Sequence, residues 1–139
     1  MGTRSTTRVY DEYNRQPVVC MYRQMDGYPE GHGKELAEFL LNIKIINGFG
    51  HGEKAGTHAN GMDCLAAQMV VHFKGDDLGN IYLSPIDAPR EEYDYIVKKK
   101  ESKNGLDTSS VTMECIDYDN VSIFKGTPQE FLDWIKKVA

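Results

Sequence analysis

The chain has 139 residues, 40% hydrophobic and 27% charged, with a formal net charge of −5. That length fits a single core and one domain, and the composition excludes wholesale disorder. The acidic balance, with a pI near 5.3, excludes bulk attraction to nucleic acid or to an anionic membrane. Cys20, Cys64 and Cys115 form no CxxC pair and each lies in an apolar stretch, the pattern of reduced, buried thiols. No apolar run approaches the roughly 18 residues of a spanning helix, and the N-terminus lacks the charged-then-apolar order of a secretory signal. The expected location is cytoplasmic.

Residues 5–12 and 17–23 are rich in β-branched and aromatic side chains and flank a polar turn at Asn14-Arg15-Gln16, which predicts an opening β-hairpin. Val18-Val19-Cys20-Met21 is apolar on both faces, so the second strand belongs inside the sheet. After Gly31 the spacing of Leu36, Ala37, Phe39, Leu40, Leu41 and Ile43 predicts a helix from about His32 or Gly33 to Ile43. A second glycine-rich stretch, Asn47 to Gly61, reads as a long loop without secondary structure of its own. Met62, Leu65, Ala66, Met69, Val70 and Phe73 then give a second helix, starting near Asn60 or Asp63 and ending close to Gly75.

Short strands follow at about 80–84, 93–97, 111–116 and 121–124, divided by Pro85, Pro89, Asn104-Gly105 and Asp119-Asn120, and a meander is the natural reading. The basic run Lys98-Lys99-Lys100 reads as the solvated end of a hairpin. Thr127-Pro128-Gln129-Glu130 carries an N-cap, a first-turn proline and a capping-box glutamate ahead of a third apolar stripe, Phe131, Leu132, Trp134, Ile135 and Val138. The order β-β-α-α-β-β-β-β-α is that of an α+β domain over residues 1–139: about six strands, mostly antiparallel, with three helices packed mainly on one face.

Two Gly-His-Gly triplets, Gly31-His32-Gly33 and Gly50-His51-Gly52, stand in glycine loops that lead toward helices. Strand, glycine loop and helix start together present backbone N–H groups and the positive end of the helix dipole, which suits an anion. Arg23 and Lys34 add charge beside the first triplet, with Asp26 and Tyr28 in the same loop; an Asp26–Arg23 pair in a tight turn is the bland alternative. The second loop offers His51, Lys54 and His58, and Phe49 as a stacking face, as Tyr28 is in the first. The other tyrosines, Tyr10, Tyr82, Tyr93 and Tyr95, suit cross-strand packing.

A long second loop has the reach to return along the first helix and bring the two triplets together. His51, His58, Asp63 and Cys64 match no zinc spacing, so no metal is expected; Cys64 is placed in the core beside Leu65, and His72 at the terminal carbonyls of its helix. His32 with Asp26, or His51 with Glu53, has the chemistry of a general base. No nucleophile motif accompanies either pair, and neither triplet carries the third glycine and βαβ setting of a dinucleotide fold.

The run from Met21 to Leu40, Met-Tyr-Arg-Gln-Met-Asp-Gly-Tyr-Pro-Glu-Gly-His-Gly-Lys-Glu-Leu-Ala-Glu-Phe-Leu, with Gly2-Thr-Arg-Ser5 before it and Asn60 to Gln68 after it, resembles a family of small uncharacterised proteins of bacteria and their phages. The resemblance covers most of the chain and implies a small prokaryotic or phage accessory protein, with no catalytic assignment and no cofactor.

These features lead to a non-enzymatic binding protein for a small anionic ligand, such as a nucleotide or nucleotide-derived signal, with room for homo-oligomerisation. Arg23, Asp26, Tyr28, His32, Lys34, Phe49, His51, Lys54 and His58 are the candidate ligand-binding residues. The alternatives are a small hydrolase or transferase using His32 or His51, and a phage-encoded inhibitor that binds a host protein through the same loops.

Overall fold

The computed structural model describes residues 2–138. The chain folds as α+β, with a six-stranded, mostly antiparallel sheet and three helices. β1 (Ser5–Tyr10) and β2 (Pro17–Arg23) pair as the predicted hairpin, and Asn14 takes the left-handed conformation its turn needs (φ 57°). A five-residue π-helical turn, Pro29–Gly33, runs into α1 (Lys34–Leu41). β3 (Lys44–Ile46) and β4 (His58–Asn60) form a separate parallel pair, and α2 (Gly61–Lys74) follows β4. β5 (Ile81–Ser84), β6 (Tyr93–Ser102), β7 (Gly105–Ile116), β8 (Ser122–Gly126) and α3 (Pro128–Val138) complete the chain.

The strand order is β5-β2-β1-β6-β7-β8. β6, β7 and β8 are the expected meander, but β5 lies on the opposite edge beside β2, and β6 joins β1 in parallel. The cause is local. The Lys74 ammonium at the end of α2 donates to the carbonyls of Leu78 (3.2 Å) and Ile81 (2.9 Å), turning the chain back at once. Asn80, at φ 68°, accepts the N–H of Gln24 on its carbonyl and that of Met25 on its side chain, which seats β5 against β2.

Alternation along the strands sends Val9, Met21, Tyr95, Val97 and Met113 toward the helices, where they meet Leu36, Ala37, Leu40, Met62, Leu65, Met69, Phe131 and Ile135. Each such side chain contributes roughly 1.5–3 kcal/mol on leaving water. The capping box at α3 is present in both directions: the Thr127 N–H donates to Glu130 Oε1 (2.8 Å) and the Glu130 N–H to Thr127 Oγ1 (3.2 Å).

On the sheet's other face, Arg8 donates to the carbonyls of Ile86 and Ala88 and so holds the β5–β6 connection across β1. Thr6, Cys20 and Asp94 are buried there. The Lys98–Lys100 run is interior to β6 and not the tip of its hairpin. Lys99 is buried and paired with Glu12, while Asn14 exchanges two 3.1 Å hydrogen bonds with its backbone. No helix among the described residues is long and apolar enough to cross a membrane.

Candidate functional site

The first glycine loop is a joint inside the fold. His32 is 0% exposed, with Arg23 Nη1 3.1 Å from its Nδ1 and Thr7 Oγ1 2.8 Å from its Nε2. A guanidinium only donates, so Nδ1 accepts and the ring proton sits on Nε2, donated to Thr7. Burial first, and then the charge of Arg23, push this imidazole down to about 3. Tyr95 and Phe73 meet the ring edge-on, at centroid distances of 5.2 and 4.9 Å. A neutral imidazole so far from its ordinary range is no general base near pH 7.

Arg23 is also committed internally. Its Nε donates to the Met25 carbonyl (2.6 Å) and its Nη1 pairs with the Glu35 carboxylate, not with Asp26. The N–H groups expected to face an anion are taken too, that of His32 by the Asp26 carbonyl (2.7 Å) and that of Gly31 by the Tyr28 carbonyl (2.9 Å). Gly33 has no room for a side chain: a Cβ there would stand 2.7 Å from Phe131 Cζ and 3.0 Å from the Tyr95 hydroxyl. Asp26 and Tyr28 remain at the surface, with the Tyr28 hydroxyl 3.4 Å from the Asp26 carboxylate. Lys34 is exposed on the α1–α3 groove, beside Glu30 and Glu38.

The second loop is built differently. β3 and β4 are parallel, so residues 47–57 must double back between them. Its two ends are clamped by amide side chains at and within α2: the Gly48 N–H donates to Asn60 Oδ1 (2.8 Å) and the Gly56 N–H to Gln68 Oε1 (2.9 Å). Both glycines sit at φ +95° in open space, a backbone conformation that side chains disfavour. Gln68 Nε2 donates in turn to the His58 carbonyl (2.8 Å) and to Cys64 Sγ (3.4 Å).

Beneath the loop lies a cavity of about 160 Å³ lined by Ile46, Phe49, Glu53, Lys54, Ala55, His58, Asn60, Cys64 and Gln68. Phe49, 71% exposed, stands at its rim. Among the described residues the ion pairs are Arg8–Asp94, Arg23–Glu35 and Lys99–Glu12, so Lys54 brings an uncommitted ammonium to this cavity. Three of the residues singled out in the sequence, Phe49, Lys54 and His58, therefore share one cavity. His51 is exposed and engages through its N–H, donated to Glu53 Oε2 (2.8 Å).

The two triplets do not form a common site. Gly56 and Arg23 both border an open groove of about 710 Å³ between α1 and α2, but Glu35, Glu38 and Asp77 also line it, which disfavours an anion there. His72 stacks on Phe39 in that groove (4.8 Å between centroids) and makes no bond to its helix carbonyls. Cys64 is half-buried and faces the second-loop cavity; Leu65 is the core residue of the pair. Gln68 escaped the sequence reading, and Glu53 entered it as a partner for His51 and not as a lining residue of this cavity. The available signal for Gln68 was its i,i+4 spacing from Cys64 on one helix face. The chain matches no protein-family model, no curated protein and no solved structure.

Proposed function

We infer that the protein binds a small anion-bearing ligand in the cavity between the second glycine loop and α2. The observation that carries this reading is the meeting of Phe49, Lys54 and His58 on one carbon-lined cavity, with Lys54 free of any carboxylate partner among the described residues. Lys54 supplies a flexible positive charge, His58 a hydrogen-bonding ring, and Phe49 a face to lie over a planar group. Ile46 and the Cys64 thiol make the floor. The Arg23–His32 pair serves as scaffold in this reading, because both ring nitrogens of His32 and the Nε and Nη1 groups of Arg23 are already engaged.

Amide chemical shifts during titration with inorganic phosphate and with AMP test the assignment. Shifts are expected at Phe49, Lys54, His58 and Cys64, and Lys54→Ala is expected to weaken binding about tenfold, the worth of one charge-assisted contact. Shifts confined to residues 23–34, or none with either probe, would overturn the reading.

A further inference from the structure

The first turn of α2 takes its cap from outside the helix. Helix starts leave backbone N–H groups without partners, and an asparagine at the N-cap is among the side chains that best satisfy them. Asn60 holds that position, yet its side chain makes no cap hydrogen bond. Its Oδ1 accepts the Gly48 N–H instead (2.8 Å), which ties down one end of the second loop. The Met62 N–H is donated to Glu12 Oε1, from the turn between β1 and β2, 50 positions earlier in the chain.

Glu12 is fixed in that place from the other side as well. Its Oε2 pairs with the ammonium of the buried Lys99, and the Lys99 backbone is tied to Asn14 by two 3.1 Å hydrogen bonds. Gly61 makes the approach possible: a Cβ there would stand 2.8 Å from Glu12 Oε1, and its φ of +84° is one that side chains disfavour. One carboxylate thus serves both as counter-ion to a buried ammonium and as cap of α2.

We propose that Glu12 is a positioning residue for the second-loop cavity: it takes the Met62 N–H of α2 and so leaves the Asn60 amide to the Gly48 N–H, next to Phe49 at the cavity rim. Without that carboxylate the α2 donors compete for the same Asn60 oxygen, and Gly48 is held for less of the time. Asn60 lines the cavity too, so the contact that Glu12 protects belongs to the wall of the site. The effect on a ligand rests on the reading above, whereas the hold on Gly48 stands without any ligand.

Two readouts keep these apart: hydrogen exchange of the Gly48 amide in the free protein, followed by NMR, and the affinity for inorganic phosphate. Both are measured on the full natural chain, Glu12→Ala, Glu12→Gln, Asn60→Ala and the Glu12→Ala/Asn60→Ala double variant. Glu12→Ala is expected to speed Gly48 exchange and to weaken phosphate binding about fivefold, the worth of one hydrogen bond. Glu12→Gln keeps an acceptor for Met62. It should retain natural exchange and affinity although loss of the charge opposite Lys99 lowers its unfolding temperature. The double variant should bind no more weakly than Asn60→Ala alone, because both changes act through one contact. If Glu12→Ala fails to fold, Glu12→Ala/Lys99→Met is compared with Lys99→Met, which removes the buried charge together with its partner.

Natural Gly48 exchange in the variant that lacks the carboxylate, an unchanged phosphate affinity there, or additive losses from Glu12→Ala and Asn60→Ala would overturn the positioning role. Gly48 exchange that responds as expected while the natural protein binds no phosphate overturns the ligand reading alone and upholds the hold of Glu12 on the loop.

Discussion

His32 makes the stability of this protein depend on pH in a defined window. In the unfolded chain its imidazole titrates near the ordinary value of about 6.5, whereas in the fold burial and Arg23 push it down to about 3. Between these values the unfolded state binds the proton and the folded state does not. Stability therefore rises with pH, and falls on acidification by up to ~1.4 kcal/mol per pH unit. Integrated from pH 8 to pH 5, the loss from this residue is about 2 kcal/mol, a large fraction of the margin of a domain this size.

The assay is urea denaturation of the natural protein and of His32→Gln at a series of pH values. The Gln amide retains a donor for Thr7 but does not titrate. Comparison with the variant cancels other groups, including Asp94, whose carboxyl burial pushes up and whose effect has the opposite sign: its stabilisation is present at low pH and lost as pH rises through its folded value. His32→Gln should be the less stable protein at pH 8, and the gap should close by about 2 kcal/mol at pH 5. A gap independent of pH would refute the neutral, doubly bonded imidazole.

Three further outcomes follow from the packing. Gly33→Ala places a methyl group 2.7 Å from Phe131 Cζ and should cost about 1–3 kcal/mol in thermal or urea denaturation. Thr127→Ala breaks the capping box of α3 and should cost about 1 kcal/mol, measured in the same way. Under native conditions a small alkylating reagent should modify Cys64 well before the buried pair, since burial pushes the Cys115 thiol up to about 12 and raises that of Cys20; peptide mass spectrometry reads the order, and faster labelling of Cys115 would contradict its burial.

What could be read from the sequence follows the range of the interactions involved. The β1–β2 hairpin, the three helices and the Thr127–Glu130 capping box rest on contacts within a few residues, and all are visible as spacing. The place of β5 is set by Lys74, which holds the carbonyls just beyond α2, and by Asn80 bonding to the residues after β2, a pairing across the sequence that no local pattern encodes. β3 and β4 are too short, at three residues each, to show a period.

The site divides in the same way. Phe49, Lys54 and His58 were legible because an exposed glycine loop keeps its side chains available. Arg23 and His32 look identical in sequence to available groups. Only the inward-facing Thr7, the Glu35 carboxylate and the close approach of Phe131 to Gly33 show them to be consumed.

The parallel seam between β1 and β6 has a consequence for how the chain assembles. β1 is one of the two central strands of the sheet, yet its neighbour on one side is not made until residue 93 and beyond. A growing chain that has emerged only through β5 carries a three-stranded β5-β2-β1 piece with one flank of β1 bare, its backbone donors and acceptors unpaired. The helix contacts of Phe131 and Ile135 are likewise missing at that stage. The β6–β7–β8 half therefore closes onto a waiting template in a long-range, late step. Chains cut between β5 and β6 are accordingly expected to self-associate through β1, whereas the finished chain has that flank covered.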